Sequence, residues 1–196
     1  MRRGVRLVLA TRNAHKLREL GRMLDGVALE PLPHGVVLPP EDGDTFAANA
    51  LGKARAAAAA LGRPAIADDS GIEAEALGGA PGIRSARFAG PDASDAQNLA
   101  LLRERAPARS RLRYVCAIAY AEPGGDVRTF EGSCTGTLSA TERGSGGFGY
   151  DPAFLPDDVA DGRTMAELSD AEKDAISHRG RAARALLAWL EEAPPR

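Results

Sequence analysis

The sequence agrees with an α/β fold on three observations. Strand-like and helix-like runs alternate from the first residues onward, the pattern of a sheet covered by helices. A short apolar run, residues 64–67, leads straight into Asp68-Asp69-Ser70-Gly71, which sets carboxylates, a hydroxyl and a tight turn at a strand end, where such folds keep their chemistry. The 196 residues, 44% hydrophobic and 27% charged, suit one soluble domain, 1–196, able to bury a core without disulfide staples.

Taken in order, residues 5–10 read as a buried strand and residues 13–24 as a helix with Leu17, Leu20 and Leu24 on one face. The turn Thr11-Arg12-Asn13 lies between them. A helix over residues 45–61 is capped by Asp44 or Thr45 and stopped by Gly62 and Pro64; its alanines are helix formers, and Asn49 and Lys53 share a face. After the strand at 64–67, the glycine- and proline-punctuated stretch 77–87 carries Arg84 and Arg87, so backbone and cations come close to something anionic. Ser94 and Gln97 make a capping box for a helix with Leu99, Leu101 and Leu102. Runs 112–122 and 127–140 read as strands joined by Pro123-Gly124-Gly125-Asp126 as a hairpin. Ser169 and Glu172 open a short helix, and the last helix spans residues 177–192 with Leu186, Leu187 and Leu190 inward. Only Pro194-Pro195-Arg196 reads as a tail.

Composition excludes several classes of function. A net charge of −2 and a pI near 6.0 leave no footprint for duplex DNA or an acidic membrane. The basic run Arg103, Arg105, Arg109, Arg111 and Arg113 is interrupted by Glu104 and has no aromatic before Tyr114, so it reads as a solvated face. No apolar run reaches membrane-spanning length, and the basic start Met1-Arg2-Arg3 is followed by too short a run for a secretory core. Cys116 and Cys134 lie in strand-like runs without metal spacing, which fits free thiols in a cytoplasmic protein.

Three features point to chemistry. Asp, Ser and Gly are ordinary turn formers, so Asp68-Asp69-Ser70-Gly71 taken alone is equally a solvated turn and a site. Of 25 basic residues only Lys16, Lys53 and Lys173 are lysine, in a chain that otherwise uses arginine; a compact ammonium suits a phosphate as a point charge. If Ser177 caps the last helix, His178 and Arg179 stand in its first turn against the helix dipole, at a cost of about 0.3–1 kcal/mol. An anionic or acceptor-bearing ligand would explain that placement, as would pairing with a neighbour such as Asp174. Gly144-Ser145-Gly146-Gly147-Phe148-Gly149-Tyr150-Asp151-Pro152 contains G-x-G-x-x-G, but Pro152 opposes the helix that a dinucleotide site requires. It reads as a loop exposing Phe148 and Tyr150 at its tip, with satellite core as the alternative for Tyr150.

Together these motifs resemble the inosine triphosphate pyrophosphatase family, from about Val5 to Leu190. The resemblance rests on Thr11-Arg12-Asn13-Ala14-His15-Lys16, Thr45-Phe46 with Asn49-Ala50 and Lys53-Ala54, Ala67-Asp68-Asp69-Ser70-Gly71, Gly78-Gly79-Ala80-Pro81-Gly82, Gly146-Gly147-Phe148-Gly149-Tyr150-Asp151, and Lys173 with Ile176-Ser177-His178-Arg179-Gly180. It implies an α/β fold with a long mixed central sheet flanked by helices, two lobes around an active-site cleft, and a homodimer. It implies hydrolysis of non-standard purine nucleoside triphosphates (ITP, dITP, XTP) to the monophosphate and pyrophosphate with Mg2+. By the same resemblance Thr11, Arg12, Asn13, Ala14, His15, Lys16 and Lys53 meet the triphosphate, and Asp69 is catalytic base and metal ligand. Ser70 contacts substrate, and Phe148, Gly149, Tyr150, Asp151, Lys173, His178 and Arg179 enclose base and sugar. Where the family often has two adjacent acids before the glycine matching Gly43, this chain has Pro40 and then Glu41 and Asp42; Glu41 is taken as the second metal carboxylate. Arg12 replaces a common glycine.

The chemistry suits these residues. Magnesium takes few protein carboxylates and keeps waters and phosphate oxygens. Asp69 would activate water, with Lys16 and Lys53 offsetting charge on the departing pyrophosphate. Arg179, a pure donor, would prefer the purine 6-oxo group over adenine's amino group, and a tight wall would reject the guanine 2-amino group. A nucleotide-binding regulator that does not hydrolyse, or a pyrophosphatase for modified pyrimidine nucleotides, are the alternatives.

Overall fold

The computed structural model describes residues 5–192. The basic start at Met1-Arg2-Arg3 and the tail read at Pro194-Pro195-Arg196 lie outside the described residues. The elements are β1 (Arg6–Leu9), α1 (Ala14–Met23), β2 (Ala28–Pro31), α2 (Phe46–Leu61), β3 (Ala65–Ala74), α3 (Asp95–Arg105), β4 (Arg111–Ala121), β5 (Val127–Leu138), β6 (Phe154–Pro156), α4 (Asp170–Ile176) and α5 (His178–Glu192). One six-stranded sheet runs in the order β2-β1-β3-β4-β5-β6. It is mixed: β1 is parallel to β2 and β3, and β5 is antiparallel to β6.

The helices start where their caps predict. Asn13 accepts from the His15 and Lys16 amides, Thr45 from Ala48, and Ser94 and Ser169 form complete capping boxes. Gly62 closes α2 in the left-handed region at φ 61°. The hairpin turn after β4 closes through Glu122 N–H to the Asp126 carbonyl at 3.0 Å. Three arginines of the basic run have local acids, Arg103 with Glu142, Arg111 with Asp157 and Arg113 with Glu73, and Arg105 lies over the Phe88 ring. Among the described residues no helix is long and apolar enough to cross a membrane.

The chain divides into two compact units. The first holds the described residues up to Asp69, then Cys116–Gly132 and the chain from Arg179; the second holds Ser70–Val115 and Ser133–His178. Each has its own core. In the first, Leu7, Leu9, Leu20, Ile66, Ile118 and Leu186 pack together; in the second, Ile72, Leu102, Tyr114, Leu138, Phe154 and Met165 do. At about 25 cal/mol per Å² of apolar surface, each cluster is the dominant stabiliser of its unit.

The Asp68-Asp69-Ser70-Gly71 run corrects one expectation, because it lies inside β3 and is not a turn at a strand end. The ladder overrides turn propensity here. Register explains why the carboxylates nevertheless serve a site. β1 pairs with β3 only as far as Leu9 with Ile66, so β3 runs on beyond the carboxyl end of its parallel neighbour, the position at which open α/β sheets bind ligands.

Candidate active site

In the first unit the site is built on β3, α1, α2 and the start of α5, with Glu41 from the segment before α2. From β3 come Asp68 and Asp69, both buried, with alternate side chains pointing to opposite faces. α1 supplies Lys16, and Glu19 one turn later. α2 supplies Asn49 and Lys53, one turn apart on a buried helix face otherwise made of Phe46 and alanines. Lys16 Nζ pairs with Asp68 Oδ2 at 3.1 Å and Arg179 Nε with the same oxygen at 3.2 Å. Arg179 also donates from Nη1 to Glu19 Oε2 at 2.5 Å. Lys53 Nζ donates to the Asp68 main-chain carbonyl at 2.6 Å and to Glu41 Oε1 at 2.5 Å. Asn49 joins two segments, accepting from the Gly43 amide at 2.8 Å and donating to Asp69 Oδ2 at 2.9 Å.

This geometry separates the two aspartates. Burial works to raise the Asp68 carboxyl, but Lys16, Arg179 and Lys53 outweigh it and hold Asp68 well below the usual carboxylate range. Burial raises the Asp69 carboxyl and the Glu41 carboxylate adds to it, against Lys53, the Asn49 hydrogen bond and Lys16. Glu41 itself is net lowered, since Lys53 and Lys16 overcome its burial. Lys53 is net raised, since Asp68, Glu41 and Asp69 overcome the burial that lowers it. Asp68 is therefore a fixed anion that organises cations, and Asp69 is the carboxylate closer to taking up a proton.

The same set fits a hard divalent cation. Glu19, Glu41, Asp68 and Asp69 against Lys16, Lys53 and Arg179 leave a formal excess of negative charge, which by itself repels a triphosphate. A divalent ion held by Asp69 and Glu41 would reverse the sign and relieve the repulsion between those two carboxylates. A hard cation of this kind takes few protein carboxylates and keeps waters and phosphate oxygens, so two carboxylates would be enough to hold it. Asp68 Oδ1 is buried with no hydrogen-bond partner among the described residues, a sign that the cluster is not closed by protein groups alone.

The second unit gathers the aromatic residues. Asp151 and Lys173 form a buried pair at 2.6 Å. Asp151 further accepts from the Tyr114 hydroxyl at 3.0 Å and the Phe148 amide at 2.9 Å. Tyr114 stacks on His178 with ring centroids 4.5 Å apart and planes 4° from parallel, and Lys173 Nζ lies 5.3 Å from the Phe148 ring centroid. Gly147 has φ +69°, and a side chain there would run into Asp151 and Lys173. Gly149 N–H donates to Asp95 at 2.9 Å. The loop is thus held in one shape from within. Ser70 opens this unit, half-buried on β3.

The Ham1 family pattern matches residues 7–189 of the chain. The chain belongs to the Ham1 family. It is 46% identical over 192 residues to a dITP/XTP pyrophosphatase of Cutibacterium acnes, covering 93% of this chain and 94% of that one. It is 48% identical over 198 residues to a dITP/XTP pyrophosphatase of Mycolicibacterium paratuberculosis, covering 94% and 95%. A HAM1 protein from Coxiella burnetii superposes with a TM-score of 0.85 at 39% identity, over 97% of this chain and all of that one. The resemblance read from the motifs is therefore established at the level of the Ham1 family.

Within that family frame, three site residues behave differently from the sequence reading. Arg179 is buried, and its guanidinium donates to Asp68 and Glu19, which is why a cation at a helix start is tolerated. The reading that exposes Tyr150 at a loop tip is corrected and its satellite-core alternative holds, since Tyr150 packs in the second core and donates to the Ser85 carbonyl at 2.7 Å. Arg12 does not extend toward Lys16; it donates to the carbonyls of residues 32–36. Asn13 caps α1, Thr11 Oγ1 accepts from the Asn13 amide, Ala14 is its first residue, and His15 Nδ1 meets Arg18 at 2.8 Å. Two functional residues were missed, Glu19 and Asn49. Asn49 had a visible signal, a polar residue one turn before Lys53 on an alanine face; Glu19 had only its one-turn spacing from Lys16.

Proposed function

We propose that this chain, acting as one catalytic domain, hydrolyses dITP, ITP and XTP to the nucleoside monophosphate and pyrophosphate with magnesium, as a cytoplasmic homodimer that clears such nucleotides from the pool. The observation that carries the reaction is the contrast between Asp68, held ionised by three cations, and Asp69, raised by burial and by Glu41. A base must be able to accept a proton near the working pH, and Asp69 is the carboxylate moved in that direction. Asp69 would take the proton of the attacking water. Lys16 and Lys53 would face the negative charge that grows on the departing pyrophosphate. A magnesium ion held by Asp69 and Glu41 would polarise a phosphate oxygen when bound.

Selection of the base falls to the second unit. Phe148, with Lys173 over its ring, offers a face for a purine. Lys173 and His178 are the donors there that suit a 6-oxo group, and adenine's amino group would meet a donor and leave it unpaired, which is costly in a buried site. Supporting this reading are the relatives named dITP/XTP pyrophosphatases across nearly the whole chain.

The test is direct. Purified protein with magnesium is expected to release pyrophosphate from ITP at least about 100-fold faster than from ATP or GTP. Asp69→Asn is expected to lower kcat by about 100-fold or more with thermal stability retained. Orthophosphate as first product, or near-normal turnover by Asp69→Asn, would overturn the reading, and ITP binding without any product would favour a regulator. Light scattering that returns a monomer mass would remove the dimer.

A further inference from the structure

We propose that Arg12 is a positioning residue that fixes the segment carrying Glu41, so that the loop at residues 11–16 and the metal-side carboxylate are set together. The proposal rests on the reading of Glu41 as a metal ligand and goes beyond it. Arg12 stands between Thr11 and Asn13, in the loop that leads into the helix carrying Lys16, yet its guanidinium pairs with no carboxylate among the described residues. Nη1 donates to the Leu32 carbonyl at 2.9 Å, and Nη2 to the carbonyls of Pro33, His34 and Val36 at 2.8, 3.2 and 2.9 Å. Four main-chain carbonyls converging on one cation need a curled backbone, and their aligned dipoles would repel without it. Arginine suits this because its planar fork spreads donors over a wide arc, whereas an ammonium concentrates them at a point.

What Arg12 holds is otherwise weakly secured. Residues 32–43 form no strand or helix, and Val37 within them is 86% exposed, so the hydrophobic core does not fix the middle of the segment. Past Val36 the chain reaches Pro39 and Pro40, whose rings restrict φ, and Pro39 lies against α2 at Gly52. Glu41 follows at once, on Lys53. Two residues on, the Gly43 amide is held by Asn49, the same side chain that donates to Asp69. A side chain at Gly43 would press on Asn49. The Glu41 segment is therefore tied on one side by Arg12 and on the other by Asn49, with two prolines stiffening the span. On this reading Pro40, the departure from a pair of acids, contributes rigidity where a second carboxylate is absent.

The experiment compares wild type with Arg12→Ala, Arg12→Lys and Glu41→Gln in the full chain. For Arg12→Ala the expected results are at least tenfold faster amide exchange across residues 34–43 in the metal-free protein and a fivefold or greater rise in the magnesium concentration for half-maximal ITP hydrolysis. Mn2+ binding measured by calorimetry without nucleotide should weaken by a similar factor, and KM for ITP at saturating magnesium should change less than twofold. Arg12→Lys should restore part of each effect. Unchanged exchange at 34–43 overturns the proposal. So does a raised KM with unchanged metal dependence, which would make Arg12 a phosphate contact. Metal dependence unchanged in Glu41→Gln overturns the metal reading of Glu41 instead, and an Arg12→Ala exchange effect seen beside it shows which of the two failed.

Discussion

In the unit that carries Asp69, charge is shared around a hub: Asp68 receives Lys16 and Arg179 on one oxygen, its carbonyl receives Lys53, and negative charge is left in formal excess. In the unit that carries Phe148, charge is closed off in one buried pair, Asp151 with Lys173, whose remaining acceptor capacity goes to Tyr114 and the Phe148 amide. The first arrangement can respond to an incoming cation and polyanion. The second holds a loop in one shape. A triphosphate and its metal differ from a purine in the same sense, one recognised by field and the other by shape and donor pattern.

The sharpest way to break this contrast is to remove the hub. Asp68→Asn keeps the shape and deletes the charge that Lys16 and the buried Arg179 share. The expected loss in urea unfolding is about 3–5 kcal/mol, since removing one partner from a buried charge cluster is expensive. Because Asp68 is held below its unfolded value, its contribution is complete above the ordinary aspartate range of about 3.9 and fades as pH falls through the lower folded value. Glu41→Gln, at a partly exposed pair, should cost about 1 kcal/mol or less. Equal costs for the two variants would mean that no hub exists.

The second unit makes an asymmetric prediction. Asp151→Ala removes the carboxylate that the buried Lys173 ammonium, the Tyr114 hydroxyl and the Phe148 amide share, for an expected cost of about 3–5 kcal/mol. Lys173→Ala leaves the carboxylate two neutral donors and should cost less, about 1–3 kcal/mol. Unfolding of both variants in urea checks the order, and a reversal would show that Lys173 and not Asp151 organises the loop.

Kinetics can divide the units as well. Phe148→Ala should raise KM for ITP about tenfold, the scale of one lost base–aromatic stack, while inhibition by pyrophosphate, which on the proposed reading would meet the first unit's lysines, stays unchanged. Weakening of both by the same factor would show that Phe148 acts on the site as a whole.

Much of this was legible from the sequence, and the gaps have physical causes. Caps at Asn13, Thr45, Ser94 and Ser169 are local chemistry, and they stood where Asx, Ser and Thr patterns put them. The placement of Asp68 and Asp69 inside β3 was not legible, because turn-forming residues carry no mark of the ladder that straightens them. Nor was the partnership of Arg179, since Glu19 lies 160 residues away and Asp68 111. Tyr150 was misjudged because an aromatic beside glycines has the same composition in a loop tip and in a small core. Short strands such as β2 and β6, four and three residues long, carry too few alternations to register.

The smallest effect concerns how α4 presents Lys173. Glu172 closes the capping box with Ser169, accepting from its amide at 2.8 Å and its hydroxyl at 2.7 Å, and takes Arg163 at 2.8 and 3.2 Å. Hydrogen bonding to Arg163, then to Ser169, lowers its carboxyl to about 2. A depressed carboxylate stabilises the fold fully above its unfolded value of 4.5 and loses that contribution as pH falls through about 2. Carbon-detected titration should therefore find Glu172 still ionised at pH 3.5, when solvated glutamates are largely protonated. Glu172→Gln retains an acceptor for the box and should leave ITP turnover within about twofold of wild type. A titration midpoint near 4.5 would mean that Arg163 does not hold this carboxylate, and that the Asp151 pair alone fixes Lys173.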